Sequence, residues 1–279
     1  MNKYINELIE ISHNIGLNTA YIQGGGGNTS YKDDKYLYVK ASGILLKNMD
    51  EEKGIAVLDL NNLNNYLNNP NKDENIYSKD VSAFLINNNK PSIEAGLHAT
   101  IPHKFVIHSH SVYSNVIACS QEYKDILDNI LQGNYIFIPY ATPGVELIIE
   151  YNNILNQNKE CDTIILQNHG FITFGDTKEE ALNNHNNINE KIKNALKLDE
   201  FSIEYYKDSN IEKFLFPDQV VYAKNNIDKT NIAYIETIAA YFYILEQIQK
   251  LSLTPNYLTD MNVNSILGMD SEKYRAKLV

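Results

Sequence analysis

The sequence predicts an α/β or α+β fold over residues 1–200, followed by a helical extension over 201–279. Three observations carry this. β-branched and aromatic runs such as "FVIHSH", "DTIILQNHG" and "FITFG" alternate with segments of helical spacing. From Phe201 onward the one strong pattern is "IAYIETIAAYFYILEQIQKL", whose apolar residues nearly surround the helix, so the core or a neighbouring subunit must cover it. Neither an internal repeat nor a Gly/Ser linker separates the two parts.

Along the chain, residues 3–15 place Tyr4, Ile5, Leu8, Ile9 and Ser12 on one helical face, with Gly16 as a stop. "YLYVKASG" and "GIAVLDL" have the content of strands bounded by turn residues. The Asn-rich "NNLNNYLNNPNKDENIYSKD" reads as a surface excursion, and "SKDVSAFLINN" has helical spacing. "PSIEAGLHATIPHK" starts a helix with Ser92 as N-cap and Glu94 in its first turn. After the strand "FVIHSH" come a helix in "SVYSNVIACS", a strand in "YIFIPY" and a helix, "PGVELIIEYNNILNQ", opened by Pro143. Two strands and a helix from about Thr177 to Lys197 complete the series.

A chain of 279 residues buries a substantial core, and 43% hydrophobic with 21% charged residues are ordinary values for a soluble protein. No apolar run approaches the roughly 20 residues that cross a bilayer, so no membrane partner is expected. The N-terminus has acids and amides where a secretory signal needs a basic start, which makes a cytoplasmic protein the expectation. Cys119 and Cys161 form no CxxC pair and are expected to be buried thiols. A net charge of -11 argues against a nucleic-acid partner, whose phosphates need clustered Lys and Arg. A small anionic metabolite held by backbone N–H groups and a metal remains compatible with it.

The chemistry concentrates in "VIHSHSV". A strand points residues i and i+2 to one face, so His108 and His110 can aim at a common point while Ser109 faces away. Alone, HxH is a weak signal, and two hydrogen-bonded core histidines are the commoner case. A third histidine, His169, ends another strand, and Gly170 behind it permits close approach. Three imidazoles leave an open position on zinc, as catalytic sites do. Glu94 offers a carboxylate for proton transfer, although by itself it equally suits the N-terminus of a helix. His98, four residues after Glu94, reads as packing; His103, at a helix end, and His13 and His185, on polar helices, are also left outside the site. "QGGGGNTSY" could wrap an anion or be a flexible turn; it lacks both the Walker ending and the dinucleotide spacing. "KASG", Lys40 to Gly43, could add donors near the same ligand.

In order, "GGGGNTS", "KASG", "PSIEAGLH", "VIHSHS", "PYATPG" and "QNHGFITFGDT" resemble the class II aldolase/adducin family over about residues 5 to 195. The resemblance implies a three-layer α/β/α fold around a mainly antiparallel sheet, and a homo-oligomer, typically a cyclic tetramer with sites between subunits. It implies that His108, His110 and His169 hold Zn2+ or another divalent transition metal and that Glu94 is the general acid/base. It also implies that Gly27, Asn28, Ser42, Gly43 and Ser92 bind the phosphate end of the substrate. The implied activity is that of a lyase: cleavage or formation of a carbon–carbon bond in a ketose phosphate or related sugar, through a metal-stabilised enediolate. A second proton donor would come from a neighbouring subunit, with Tyr123 and Tyr140 as candidates.

Two features depart from the sugar-phosphate pattern. Ile93 stands where phosphate-binding members often have a second hydroxyl. "FLFPDQVVY" extends past the short fuculose-phosphate type and looks more like the aldolase portion of long rhamnulose-phosphate aldolase/dehydrogenase proteins. The same ligands suit a decarboxylase, dehydratase or epimerase, although the epimerase branch tends to have aspartate at position 94. A non-catalytic, adducin-like scaffold would have no need of His108, His110, His169 and Glu94 together.

Overall fold

Seven strands form one sheet in the order β3-β2-β1-β4-β7-β6-β5. They are β1 (Asn28–Lys32), β2 (Tyr36–Lys40), β3 (Ile55–Asp59), β4 (Phe105–Ser109), β5 (Ile136–Ile138), β6 (Thr163–Leu166) and β7 (Gly170–Gly175). Every pairing is antiparallel except β5 with β6, as expected for the three-layer fold. The computed structural model describes residues 3–155, 161–224 and 228–277.

The two-residue period of the strands sorts side chains into two apolar layers. Val106, Ile164, Leu166 and Ile172 face one core, with α2 (Leu60–Leu67), α3 (Glu74–Ser82), α4 (Ala95–Thr100) and α7 (Val145–Leu155) above it. Their alternates Phe105, Ile107, Ile165 and Phe171 face the other side. That side is covered by α1 (Lys3–Gly16), α5 (Val112–Ala118), α6 (Tyr123–Leu131) and α8 (Lys178–Leu196). His108 continues the Val106 face toward α4, whereas Ser109 faces the opposite layer, where its hydroxyl lies 2.8 Å from His185 Nε2.

The extension consists of α9 (Pro217–Lys224), α10 (Ile232–Lys250), α11 (Asp260–Gly268) and α12 (Asp270–Lys277). Ala240, Tyr243, Ile244 and Ile248 of α10 share one core cluster with Val112 and Val116 of α5, which covers the apolar sides of that helix. Among the described residues no helix is long and apolar enough to cross a membrane.

Several local expectations are corrected. The Asn-rich stretch is not an excursion but holds α2 and most of α3. Asp59 and Asp73 cap these helices, and Leu60, Leu63 and Leu67 give α2 its buried face. Helix α3 stops at Ser82, short of "AFLINN". The N-cap of α4 is Glu94 itself, not Ser92, so Glu94 precedes the first turn and makes no side-chain cap. Helix α1 buries Leu8, Ile11, Ser12 and Ile15, a face rotated from the one read in the sequence, and leaves Tyr4 exposed to stack on Tyr31. Cys161 is only partly buried, whereas His185 lies on a polar helix as read and is fully buried against Phe171. The "PGVELIIEYNNILNQ" segment is described only to Leu155.

Strand β1 and helix α6 went unread. "NTSYK" lacks apolar alternation because its polar side chains are buried and paired. Thr29 bonds Ser12 at 2.7 Å, and the Lys32 ammonium donates to the last carbonyls of α4, those of His98 and Ala99 at 3.0 Å.

Candidate metal centre and active site

His108 lies at the end of β4, His110 just beyond it, and His169 in the tight turn between β6 and β7. The hairpin depends on close approach: a Cβ at Gly170 would run into the Ser109 carbonyl and lie 3.1 Å from His110 Cα. The three rings come together with centroids 4.8–4.9 Å apart, and all three are buried. One nitrogen from each lies within 4.8 Å of the others.

Two of the rings are oriented by a hydrogen bond to a carboxylate. His108 Nδ1–H donates to Glu94 Oε2 at 2.8 Å, and His110 Nδ1–H donates to Asp218 Oδ2 at 2.6 Å. His169 Nε2 lies 3.6 Å from Glu94 Oε1, and Asn115 Nδ2 donates to the His169 carbonyl at 3.1 Å. These contacts leave His108 Nε2, His110 Nε2 and Glu94 Oε1 buried without a hydrogen-bond partner among the described residues. Buried acceptors are rarely left so, and three imidazole nitrogens beside a carboxylate are a donor set suited to zinc or a similar divalent ion. The residues therefore fit the metal that the resemblance implies.

Glu94 is aimed by a chain of neutral groups. Ser30 bonds His98 Nδ1 at 2.6 Å, His98 Nε2–H donates to Asn28 Oδ1, and Asn28 Nδ2 donates to Glu94 Oε2 at 2.6 Å and to Ser92 Oγ at 3.1 Å. Burial pushes the Glu94 carboxyl up, but His108, His169 and Asn28 outweigh it and hold the group well below the carboxylate range. For Asp218 burial is likewise outweighed by Arg275 and His110, which keep it ionised. Burial lowers His169 well below the usual imidazole range, and lowers His98 and His185 to about 3.

Those last two shifts carry a stability prediction. Both histidines are neutral when folded, so the unfolded chain takes up their protons near pH 6.5 while the native chain resists until about 3. Their stabilising contribution is complete above that window and is lost as pH falls, by up to about 1.4 kcal/mol per pH unit for each group. Urea unfolding at pH 7, 6 and 5 should show a steadily falling midpoint; a flat one would contradict the assignment.

The cleft beside the triad is lined by Gly27, Asn28, Ser42, Ser92 and Ile93, with Glu94, His110 and His169 at its base. Gly43 is not among the lining residues; it takes φ +85° in the adjoining turn. Neither tyrosine candidate lines the cleft. Tyr123 stacks on Phe137 at 3.9 Å, and Tyr140 packs against the cluster of Phe214, Val220 and Ile266. Lys40 of "KASG" also lines the cleft, and residues not singled out in the sequence join it: Asp218, Glu272 and Arg275. The spacing of Glu94 and His98 at i and i+4 was a usable signal for the aiming chain. Asp218 and Arg275 gave none, since they lie more than a hundred residues from their histidine.

A mainly antiparallel α/β/α sheet gathers three histidines from its strand ends and turns beside a glutamate at the start of α4, the architecture of a class II aldolase-type scaffold. The chain belongs to the class II aldolase and adducin N-terminal domain family, which matches residues 6–196. The solved N-terminal class II aldolase domain of a conserved protein from Thermoplasma acidophilum is 30% identical, with a TM-score of 0.63 over 70% of this chain and 95% of that one. An L-fuculose phosphate aldolase from Methanococcus vannielii is 26% identical over 63% of this chain and 87% of its own length. A 3-oxo-tetronate 4-phosphate decarboxylase from Escherichia coli is 26% identical over 43% of this chain and 62% of its own. The Bacillus subtilis protein described as uncharacterized oxidoreductase YuxG is 29% identical over 63% of this chain, which spans only 27% of that relative's length.

Proposed function

We propose that this chain is a divalent-metal-dependent aldolase, with zinc the expected ion, acting on a ketose phosphate or related sugar. The observation that carries the reading is the meeting of three buried imidazoles beside the Glu94 carboxylate, with His108 Nε2, His110 Nε2 and Glu94 Oε1 left without partners among the described residues. A divalent ion held by His108, His110 and His169 would supply Lewis acidity for a substrate carbonyl. Glu94, ionised and aimed by Asn28, takes the proton next to that carbonyl in the condensation direction and returns it on cleavage. The surrounding burial limits water at the reacting carbon.

The same cleft suits an anion. Lys40 brings one ammonium to it and Ser42 and Ser92 two hydroxyls, while Ile93 adds no donor. Burial lowers Lys40 to about 8, so it is charged at neutral pH and loses its charge above that value. Lys40→Met is expected to raise KM for a phosphorylated ketose by roughly 10–100-fold, as for a lost charge-assisted hydrogen bond, with a smaller change in kcat. Wild-type KM should rise above pH 8 and that of the variant should not. An unaltered KM would remove Lys40 from substrate binding.

Decarboxylation of a sugar acid phosphate is the second reading, favoured by the resemblance to the Escherichia coli decarboxylase. Screening ketose phosphates and sugar acids against the zinc-loaded protein separates the two. Aldehyde with triose phosphate supports the aldolase, and carbon dioxide without aldehyde contradicts it. A cytoplasmic homotetramer is part of the same proposal, with the second proton donor supplied by a neighbouring subunit.

A further inference from the structure

The family match ends at residue 196, yet the walls of the cleft do not. Segments beyond it hold three of the stretches that carry the site. Glu236 Oε2 accepts from Gly24 N at 2.8 Å and Tyr222 Oη from Gly25 N at 3.0 Å, which fastens the glycine loop. Asn168, beside His169 and left-handed at φ 54°, donates from Nδ2 to the carbonyls of Leu215 at 2.8 Å and Asn256 at 2.7 Å. The tightest of these ties reaches a histidine directly. Asp218 Oδ2 accepts a hydrogen bond from His110 Nδ1–H, and Arg275 Nη2 reaches Asp218 Oδ1 and Glu272 Oε2, each at 2.6 Å.

We propose that Asp218 is a positioning residue for the metal, supplied by the extension of the same chain, and that Arg275 holds it in place. The inference rests on the metal reading above. With its proton committed to Asp218, the His110 ring presents Nε2 as a lone pair toward the triad, in one tautomer and one orientation. The glycine loop is shaped around this pair: a Cβ at Gly26 would collide with Asp218 Oδ2 and lie 2.7 Å from His110 Nδ1. A glycine is required at that position by the carboxylate and by the imidazole it pairs with. Residues 201–279 are in this view the element that finishes the site rather than an appendage.

The test titrates full-length wild type, Asp218→Asn and Arg275→Gln with Zn2+ against a chromophoric chelator, and records the Co2+ absorption spectrum of each. Asp218→Asn should bind Zn2+ about 10–100-fold more weakly, the usual cost of losing an outer partner of a metal-bound histidine, and shift the Co2+ bands. Arg275→Gln should move both in the same direction by less. If Asp218→Asn does not fold by circular dichroism, Arg275→Gln carries the test alone. Unchanged affinity and spectrum in the folded variant overturn this inference only. Failure of the wild type to bind either ion overturns the metal reading, and the inference with it.

Discussion

Replacing Glu94 by glutamine is expected to cut turnover by about 10²–10⁴-fold, the usual contribution of a positioned general acid/base, while the metal content stays that of the wild type. The amide keeps the volume of the carboxylate, and its oxygen can still accept from His108 or Asn28, so the surrounding chain of bonds survives. What it loses is the ability to take a proton. The loss should fall on kcat and kcat/KM alike, with KM little changed, because the missing interaction operates at the reacting carbon rather than in substrate binding. Full activity in the metal-loaded variant would exclude Glu94 as the proton carrier.

The second large effect concerns the triad. His169→Ala should weaken metal binding by more than the about 10–100-fold typical of an outer-partner loss, and reduce activity to background. Chelation of the wild-type protein should give the same inactive state, restored by added Zn2+. The two treatments differ in stability. Chelation leaves all three imidazoles in place, whereas the alanine also removes a buried ring packed at 4.8 Å from both its neighbours, so that variant should have the lower Tm. A His169→Ala protein that retains stoichiometric metal and activity would take His169 out of the ligand set.

Much of this arrangement was readable from local pattern. Strand β4 announces itself through "FVIHSH", and its two-residue period puts His108 and Ser109 on opposite faces, as found. Strand β1 was unreadable for a physical reason: "NTSYK" is buried through hydrogen bonds rather than apolar contact, so no hydrophobic alternation marks it. Helix α2 was hidden by asparagines on its outer face, although Leu60, Leu63 and Leu67 keep the helical spacing. Reading Ser92 as an N-cap followed from residue preference alone; the chain instead turns at Glu94 and leaves its carboxylate free to meet His108. The Asp218–His110 and Asn168–Leu215 ties join residues distant in sequence, and only the folded chain reveals them.

In the proposed mechanism His108, His110, His169 and Glu94 together remove a proton next to a carbonyl. Proton exchange tests it without an acceptor aldehyde: zinc-loaded protein is incubated with dihydroxyacetone phosphate, or with dihydroxyacetone, in D2O and followed by 1H NMR. One carbon-bound proton signal of the donor is expected to disappear, at a rate abolished by chelation and lowered about 10²–10⁴-fold in Glu94→Gln. No exchange with either donor, in protein shown to carry its metal, would contradict it.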